Sequence, residues 1–177
     1  MKWALIGAGI AAVIVWLVCV RHRLAAMEEN VCNAMRQIGV QLSSRFDALT
    51  ALLELAQGRA APEMLLLLES VRSGRSPITA ASAPEEVQRQ EALISKALKH
   101  VDAMTGQHPE LRTEEGYLRC MTALDSYEKM VQTGRLIYND SVAKLNRELH
   151  TFPTRLAAGV LGFQTHEYLE LPGMANG

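Results

Sequence analysis

Several residue classes are scarce in this sequence, and each scarcity argues against a class of protein. Aromatic residues make up 5% of the chain, which is low for a β-sandwich, because sheets are enriched in aromatic and β-branched side chains. The formal net charge is −1, so the chain is not built to neutralise many phosphates and we expect no nucleic-acid partner. The three cysteines form neither a CxxC motif nor a Cys/His cluster, so neither a disulfide framework nor a zinc site is indicated.

Motifs that would carry catalysis are also missing. The five histidines include no HExxH motif and no pair at i,i+4 spacing, so we expect no metal site. Cys120 lies about one helical turn from Tyr117 and Leu124, as a small core side chain would, rather than as a nucleophile. The acid pairs 85–86 and 114–115 stand at expected helix starts, where the helix dipole favours them. We therefore expect no enzymatic activity, no catalytic residue and no cofactor.

A long apolar run occupies the N-terminal segment. Residues 3–20, WALIGAGIAAVIVWLVCV, carry no charge, and as a helix they would span about 27 Å, enough for the hydrocarbon core of a bilayer. The run ends without small residues at a cleavage position, which predicts a retained anchor rather than a cleaved signal peptide. Arg21, Arg23 and Arg36 follow the run and only Lys2 precedes it, so the positive-inside rule favours a cytoplasmic domain.

The first two helices of the remaining chain can be placed from their patterns. From Leu24 to about Gln57 apolar residues recur every three or four positions without a proline, which predicts an amphipathic helix continuous with the anchor. Pro62 opens a second helix that ends by Gly74. Because residues 65–68 are apolar all round, we expect this helix to be buried on more than one side or to lie against the membrane.

Three further helices follow a loop rich in Ser, Gly, Ala and Pro at residues 73–84. Pro84 opens the third helix, which ends near Gly106, and Thr113 is the expected N-cap of a long fourth helix. Pro153 should end that helix, and a short helix covers residues 154–161. The fourth helix carries a row with seven-residue spacing, as in a coiled coil, which predicts a buried face: Tyr117, Leu124, Val131, Tyr138, Leu145 and Phe152.

These elements predict an all-α protein. An N-terminal transmembrane helix is followed by an antiparallel bundle of about four helices, with long first and fourth helices side by side. We assign residues 1–23 to the transmembrane anchor, 24–163 to the helical bundle and 164–177 to a C-terminal tail. Within the tail, side chains that could either pack on the bundle or form an exposed docking strip are Tyr168, Leu169 and Leu171.

Polar side chains beside the seven-residue row and on the first helix are the candidate functional residues. Glu128 and Arg135 lie nearly two turns apart, and each needs a partner if buried, because an unpaired buried charge is costly. Asp47 on the first helix is a candidate partner for Arg135. We expect the ring of Tyr138 in the core, with its hydroxyl and the amide of Asn139 seeking hydrogen bonds. These residues would form either an interhelical polar tie or the contact for a ligand or partner.

A series of short motifs runs through the chain in a fixed order. It comprises Ile38-Gly39-Val40-Gln41-Leu42, His108-Pro109-Glu110-Leu111, Glu128 with Arg135, Tyr138-Asn139-Asp140, Phe152-Pro153 and Gly162-Phe163. Together with the N-terminal anchor, this series resembles the LemA family of bacterial membrane-anchored helical proteins. The stretch RLIYNDSVAKLNRELHTFPTRLAAGVLGF is the most specific part. The resemblance implies an antiparallel bundle of long helices, a single anchor in a bacterial cell membrane and no established activity.

The chain departs from the family pattern at several positions, which indicates a divergent member. Gly39 stands where an acid is usual and residues 43–44 are serines where a basic pair is common. Thr50 replaces a usual proline and Leu145 a usual tyrosine.

Two functions are compatible with these patterns. The leading hypothesis is an interaction protein, whose membrane-held bundle docks another membrane or envelope protein or, as a homo-oligomer, its own copies. Members of the resembled family are linked to membrane proteases and stress responses, so a regulatory adaptor in membrane protein quality control or envelope stress is one concrete form. The alternative is a membrane-tethered sensor, in which a small ligand enters the bundle near Asp47, Glu128 and Arg135. A membrane-bound enzyme would need a nucleophile or metal set that the sequence does not supply.

Overall fold

The computed structural model describes residues 2–57 and 61–170, and its regular structure there is entirely helical. In chain order the elements are α1 Lys2–Gln57, α2 Ala61–Gly74, α3 Pro84–Gln107, a 3-10 helix Pro109–Thr113, α4 Glu115–His150 and α5 Thr154–Leu161. This confirms the predicted all-α bundle with long first and fourth helices. The 3-10 helix was not expected from the sequence. The N-cap of α4 is Glu114 rather than the predicted Thr113. The hydroxyl of Thr113 instead donates to the Glu110 carbonyl.

Helix α1 joins the apolar segment to the bundle without a break. Its 56 residues extend about 84 Å, and no proline interrupts them. The N-terminal part is exposed along its apolar side chains and is long and apolar enough to cross a membrane. From Leu24 onwards the apolar side chains of one face turn inward, and those of Leu24, Ile38 and Leu49 are fully buried. The same helix therefore carries the predicted anchor and a large share of the core.

Helices α1 and α4 pack against each other as the central pair of the bundle. Gly134 of α4 permits a close approach, because a Cβ atom there would lie 2.8 Å from Cγ1 of Ile38. In the predicted row of α4, four side chains are buried and Tyr117 is partly buried: Leu124, Val131, Tyr138 and Leu145. Phe152 is 77% exposed instead, because α4 ends at His150 and the chain turns before the row is completed.

Helix α2 packs through one face only, contrary to the sequence-based expectation. Met64, Leu68 and Val71 are buried, whereas Leu65 and Leu66 are 49% and 72% exposed. The helix lies against the far part of α1, where Arg72 pairs with Glu54 at 2.6 Å. That position is remote from the apolar N-terminal segment, so contact with a membrane around that segment does not account for the exposed leucines either.

The loop between α2 and α3, residues 75–83, crosses α1 as a strap. A Cβ atom on Gly39 would lie well inside contact distance of the Ile78 carbonyl oxygen and 3.1 Å from the carbonyl carbon. Buried Gln90 holds the strap, since its amide donates to Ser76 Oγ at 2.9 Å and accepts from the Ser76 N–H at 3.1 Å. The strap therefore favours glycine at position 39 and leaves no room there for the acid that the resemblance led us to expect.

Candidate functional site

Two buried arginines form ion pairs in the bundle, and Arg45 of α1 is the first of them. This arginine is 4% exposed and donates at 2.6 Å to the carboxylate of Glu128 on α4, whose side chain is 48% exposed. Glu128 was predicted from the sequence as a candidate residue, whereas Arg45 was not. Arg45 follows Leu42 by three positions and precedes Leu49 by four, so the helical period of the buried face could have revealed it.

Arg135 of α4 forms the second ion pair, with Glu91 of α3, and it also donates to the main-chain carbonyl of Glu170. Arg135 and Glu91 are both largely buried, with side chains 4% and 13% exposed. Glu91 was also missed by the sequence analysis. It lies four residues after Val87 and three before Ile94, on the buried face of α3. The pair thus joins α3, α4 and the C-terminal segment at one point.

Asp47, the expected partner of Arg135, lies elsewhere. It is mostly exposed and pairs at 2.7 Å with Arg75 of the strap, which also donates to Ser43 Oγ at 2.5 Å. The guanidinium of Arg75 lies over the ring of Phe46, 5.7 Å from its centroid. Asp47 follows buried Phe46 by one position, and a step of about 100° around the helix turns its side chain away from α4. The predicted pairing of Asp47 with Arg135 is therefore corrected.

Burial dominates the electrostatics of the two arginines. Desolvation lowers the pKa of Arg45, and the nearby carboxylates of Glu128 and Asp125 partly oppose that shift. Desolvation also lowers the pKa of Arg135, the positive charge of Arg45 lowers it further, and Glu170 opposes the shift. Within the described part of the chain, the Nε–H groups of both arginines have no hydrogen-bond acceptor. We therefore expect these buried and only partly satisfied arginines to fix the relative positions of the helices more than they add net stability.

The C-terminal segment is held on α4 by paired hydrogen bonds from two asparagines. Asn139 donates to the Leu169 carbonyl and accepts from its N–H, both at 2.8 Å. Asn146 forms the same pair with His166, at 2.9 and 3.0 Å. Seven helical residues advance about 10.5 Å and three extended residues about 10 Å, so the two asparagines match the repeat of an extended chain. They recognise the main chain of the segment rather than its side chains.

Tyr138 completes this attachment. Its ring is buried, as expected from the sequence, and its hydroxyl donates to the Glu167 carbonyl at 3.1 Å. Burial is the main cause that raises the pKa of this phenol. Leu169 is fully packed at 1% exposure, whereas Tyr168 is 53% exposed and Leu171 lies outside the described residues. Up to residue 170, therefore, the tail packs on the bundle through Leu169 and presents Tyr168 outward.

An open groove of about 330 Å³ runs between α1 and α4. It is lined by Ala34, Gln37 and Gln41 of α1 and by Ser126, Lys129, Met130, Thr133, Gly134 and Ile137 of α4. Met130 and Ile137 are 48% and 53% exposed, so the groove offers apolar side chains to solvent. Asp47, Glu128 and Arg135 do not line it.

Comparison with known proteins addresses the resemblance seen in the sequence. No curated protein matches the chain. The family model of the LemA family matches residues 34–176, which include the two ion pairs, the strap and the asparagines that hold the tail. This match covers most of the chain, and the chain therefore belongs to the LemA family.

Proposed function

We propose that this protein is a membrane-anchored helical interaction protein, in which α1 crosses a bacterial cell membrane once and the bundle docks another membrane or envelope protein. The observation that carries the proposal is the continuity of α1 from the exposed apolar segment into the core. Because no linker separates the two parts, one helix sets the position of the bundle relative to the bilayer. That property suits a protein that presents a binding surface at a fixed distance from the membrane.

The groove between α1 and α4 is the surface that best fits such a partner. Ala34 lies 14 residues after Val20, so the near end of the groove would stand about 21 Å beyond the apolar run. An amphipathic helix next to the membrane anchor of a partner could reach it. Its apolar face would cover Met130 and Ile137, in the helix-in-groove mode of recognition.

Site-specific photo-crosslinking in native membranes tests this proposal. Photoreactive residues are placed at Met130 and Ile137, and matched control probes are placed at exposed Glu69 of α2 and Lys96 of α3. We expect a reproducible crosslink to one other protein from the groove positions and not from the controls. Crosslinks only to a second copy would turn the proposal into self-assembly, and equal crosslinking from all four positions would contradict a specific site.

The side of the membrane that the bundle faces is a separate part of the proposal. The basic residues that follow the apolar run favour the cytoplasm. Protease digestion of intact and permeabilised cells checks this orientation, because a cytoplasmic bundle is cleaved only after permeabilisation. If the bundle is cleaved in cells whose outer envelope is permeabilised but whose inner membrane is intact, it lies outside the cytoplasm.

The ligand-sensing alternative has less support from the geometry. Asp47 is engaged by Arg75, whereas Glu128 and Arg135 are engaged by other charged partners. The three residues therefore do not converge on a shared cavity. A role in membrane protein quality control or envelope stress remains a prediction, and the crosslinked partner would identify it.

A further inference from the structure

Helix α5 is apolar on two opposite faces. Its inner face is buried against the bundle through Thr154, Ala157 and Ala158. Its outer stripe, which we define as Phe152, Leu156 and Val160, is 77%, 66% and 85% exposed. Leu156 and Val160 are four positions apart and therefore lie on one side of α5. Phe152 belongs to the turn that precedes the helix and adds a third exposed apolar side chain there. A short helix with apolar residues on both faces is expected where one face meets protein and the other meets an apolar environment.

The position of α5 supplies that environment. Helices α1 and α5 are in contact, and Trp16 and Leu17, from the last turns of the apolar run, pack against the core to which Ala157 and Ala158 belong. Just beyond the run, Arg23 of α1 pairs with Glu148 at 3.1 Å. The C-terminal end of α4 therefore lies beside the end of the apolar run. Helix α5 therefore lies beside the end of the apolar segment, at the bundle's membrane-proximal end.

Three exposed arginines lie at the same end. Arg21 follows the apolar run on α1, Arg147 lies in the last turn of α4 and Arg155 lies on α5. All three side chains are exposed, and arginine at this depth would meet lipid phosphates. An apolar stripe bordered by basic residues is the pattern of a helix that lies in a membrane interface.

We propose that α5 lies in the interface of the bilayer beside the α1 anchor, with its outer stripe among the lipid acyl chains and with Arg155 and the neighbouring Arg21 and Arg147 at the headgroups. This inference rests on the proposed membrane anchor. It adds a second contact with the bilayer, and two contacts restrain the tilt of the bundle relative to the membrane more than one helix does. The α1–α4 groove would then be held at a defined height and inclination above the membrane.

Depth-dependent quenching in vesicles tests the inference on the full chain. With the native cysteines replaced by alanine, single cysteines are introduced by Val13→Cys, Val160→Cys or Leu118→Cys and labelled with an NBD fluorophore. All three original side chains are about half-exposed or more, and Leu118 lies some 45 Å along α4 from Glu148. Each protein is reconstituted in phosphatidylcholine–phosphatidylglycerol vesicles with or without doxyl-labelled lipid.

We expect severalfold quenching at positions 13 and 160 and none at position 118. Adding Phe152→Ser and Leu156→Ser should reduce the quenching at position 160 and leave it unchanged at position 13. If position 13 is quenched but position 160 is quenched no more than position 118, the inference is overturned while the anchor stands. Absence of quenching at position 13 would instead refute the anchor of the proposed function, and the inference with it.

Discussion

Removal of the Arg135 charge is the sharpest test of how the bundle is held together. In the Arg135→Met variant, the largely buried carboxylate of Glu91 loses its cation, and the carbonyl of Glu170 loses a donor. Breaking one side of a buried ion pair costs about 3–5 kcal/mol of unfolding free energy. For a bundle of this size that corresponds to a fall in Tm of about 6–20 °C. Thermal unfolding of the detergent-solubilised protein, followed by circular dichroism, measures it.

The double variant Arg135→Met/Glu91→Leu separates the ion pair from general damage to packing. Because it leaves no unpaired charge, it should lose only about 1 kcal/mol, mainly from the freed carbonyl, and so be more stable than Arg135→Met alone. The exposed pair Asp140–Lys144 is the matched control, with an expected coupling below about 0.5 kcal/mol. A double variant as unstable as the sum of its single variants would refute the reasoning.

Two further predictions concern the strap and the tail. Gly39→Ala should destabilise the protein by up to about 2 kcal/mol. The alanine Cβ would displace the strap backbone at a cost of about 1–3 kcal/mol, and a gain in helix propensity of about 1 kcal/mol offsets part of that cost. Gly106→Ala, where nothing lies within 4 Å of the new Cβ, should be neutral or slightly stabilising, and equal Tm values for the two variants in calorimetry would contradict this account. Asn139→Leu removes both hydrogen bonds to Leu169, so amide exchange there, followed by mass spectrometry, should accelerate roughly tenfold to a hundredfold. Unchanged protection would show that the burial of Leu169 alone holds the tail.

Phe152 and Leu66 are two positions at which the sequence pattern predicted burial and the structure shows exposure. The seven-residue row continues to Phe152 in the sequence, but α4 ends before it and the ring is exposed. Leu66 belongs to an apolar run that suggested burial, yet its side chain is exposed, because α2 packs on α1 and α3 through its other face. In both cases periodicity predicts a face correctly, whereas the surroundings of that face depend on where other helices end.

The helices themselves follow from the sequence alone. Apolar spacing of three and four residues, proline at helix starts and the absence of proline from residues 24–57 are local signals, and they predicted α1, α3 and α5 within a few residues. The same spacing predicted that Leu124, Val131 and Leu145 are buried. Secondary structure and core are accessible in this way because both depend on neighbours a few positions apart.

The partners of the charged and polar residues were decided only by the tertiary structure. Arg45 and Glu128 are 83 positions apart in the chain, and Asn139 forms its hydrogen bonds with Leu169, 30 positions away. Which of several carboxylates meets a buried arginine depends on the rotation and offset of helices that share no local sequence signal. Asp47 and Glu91 are both acids on helices beside α4, but only Glu91 turns inward to Arg135. The sequence determined that Arg135 needs a partner if buried, because a buried charge is costly, and helix packing determined which residue it is.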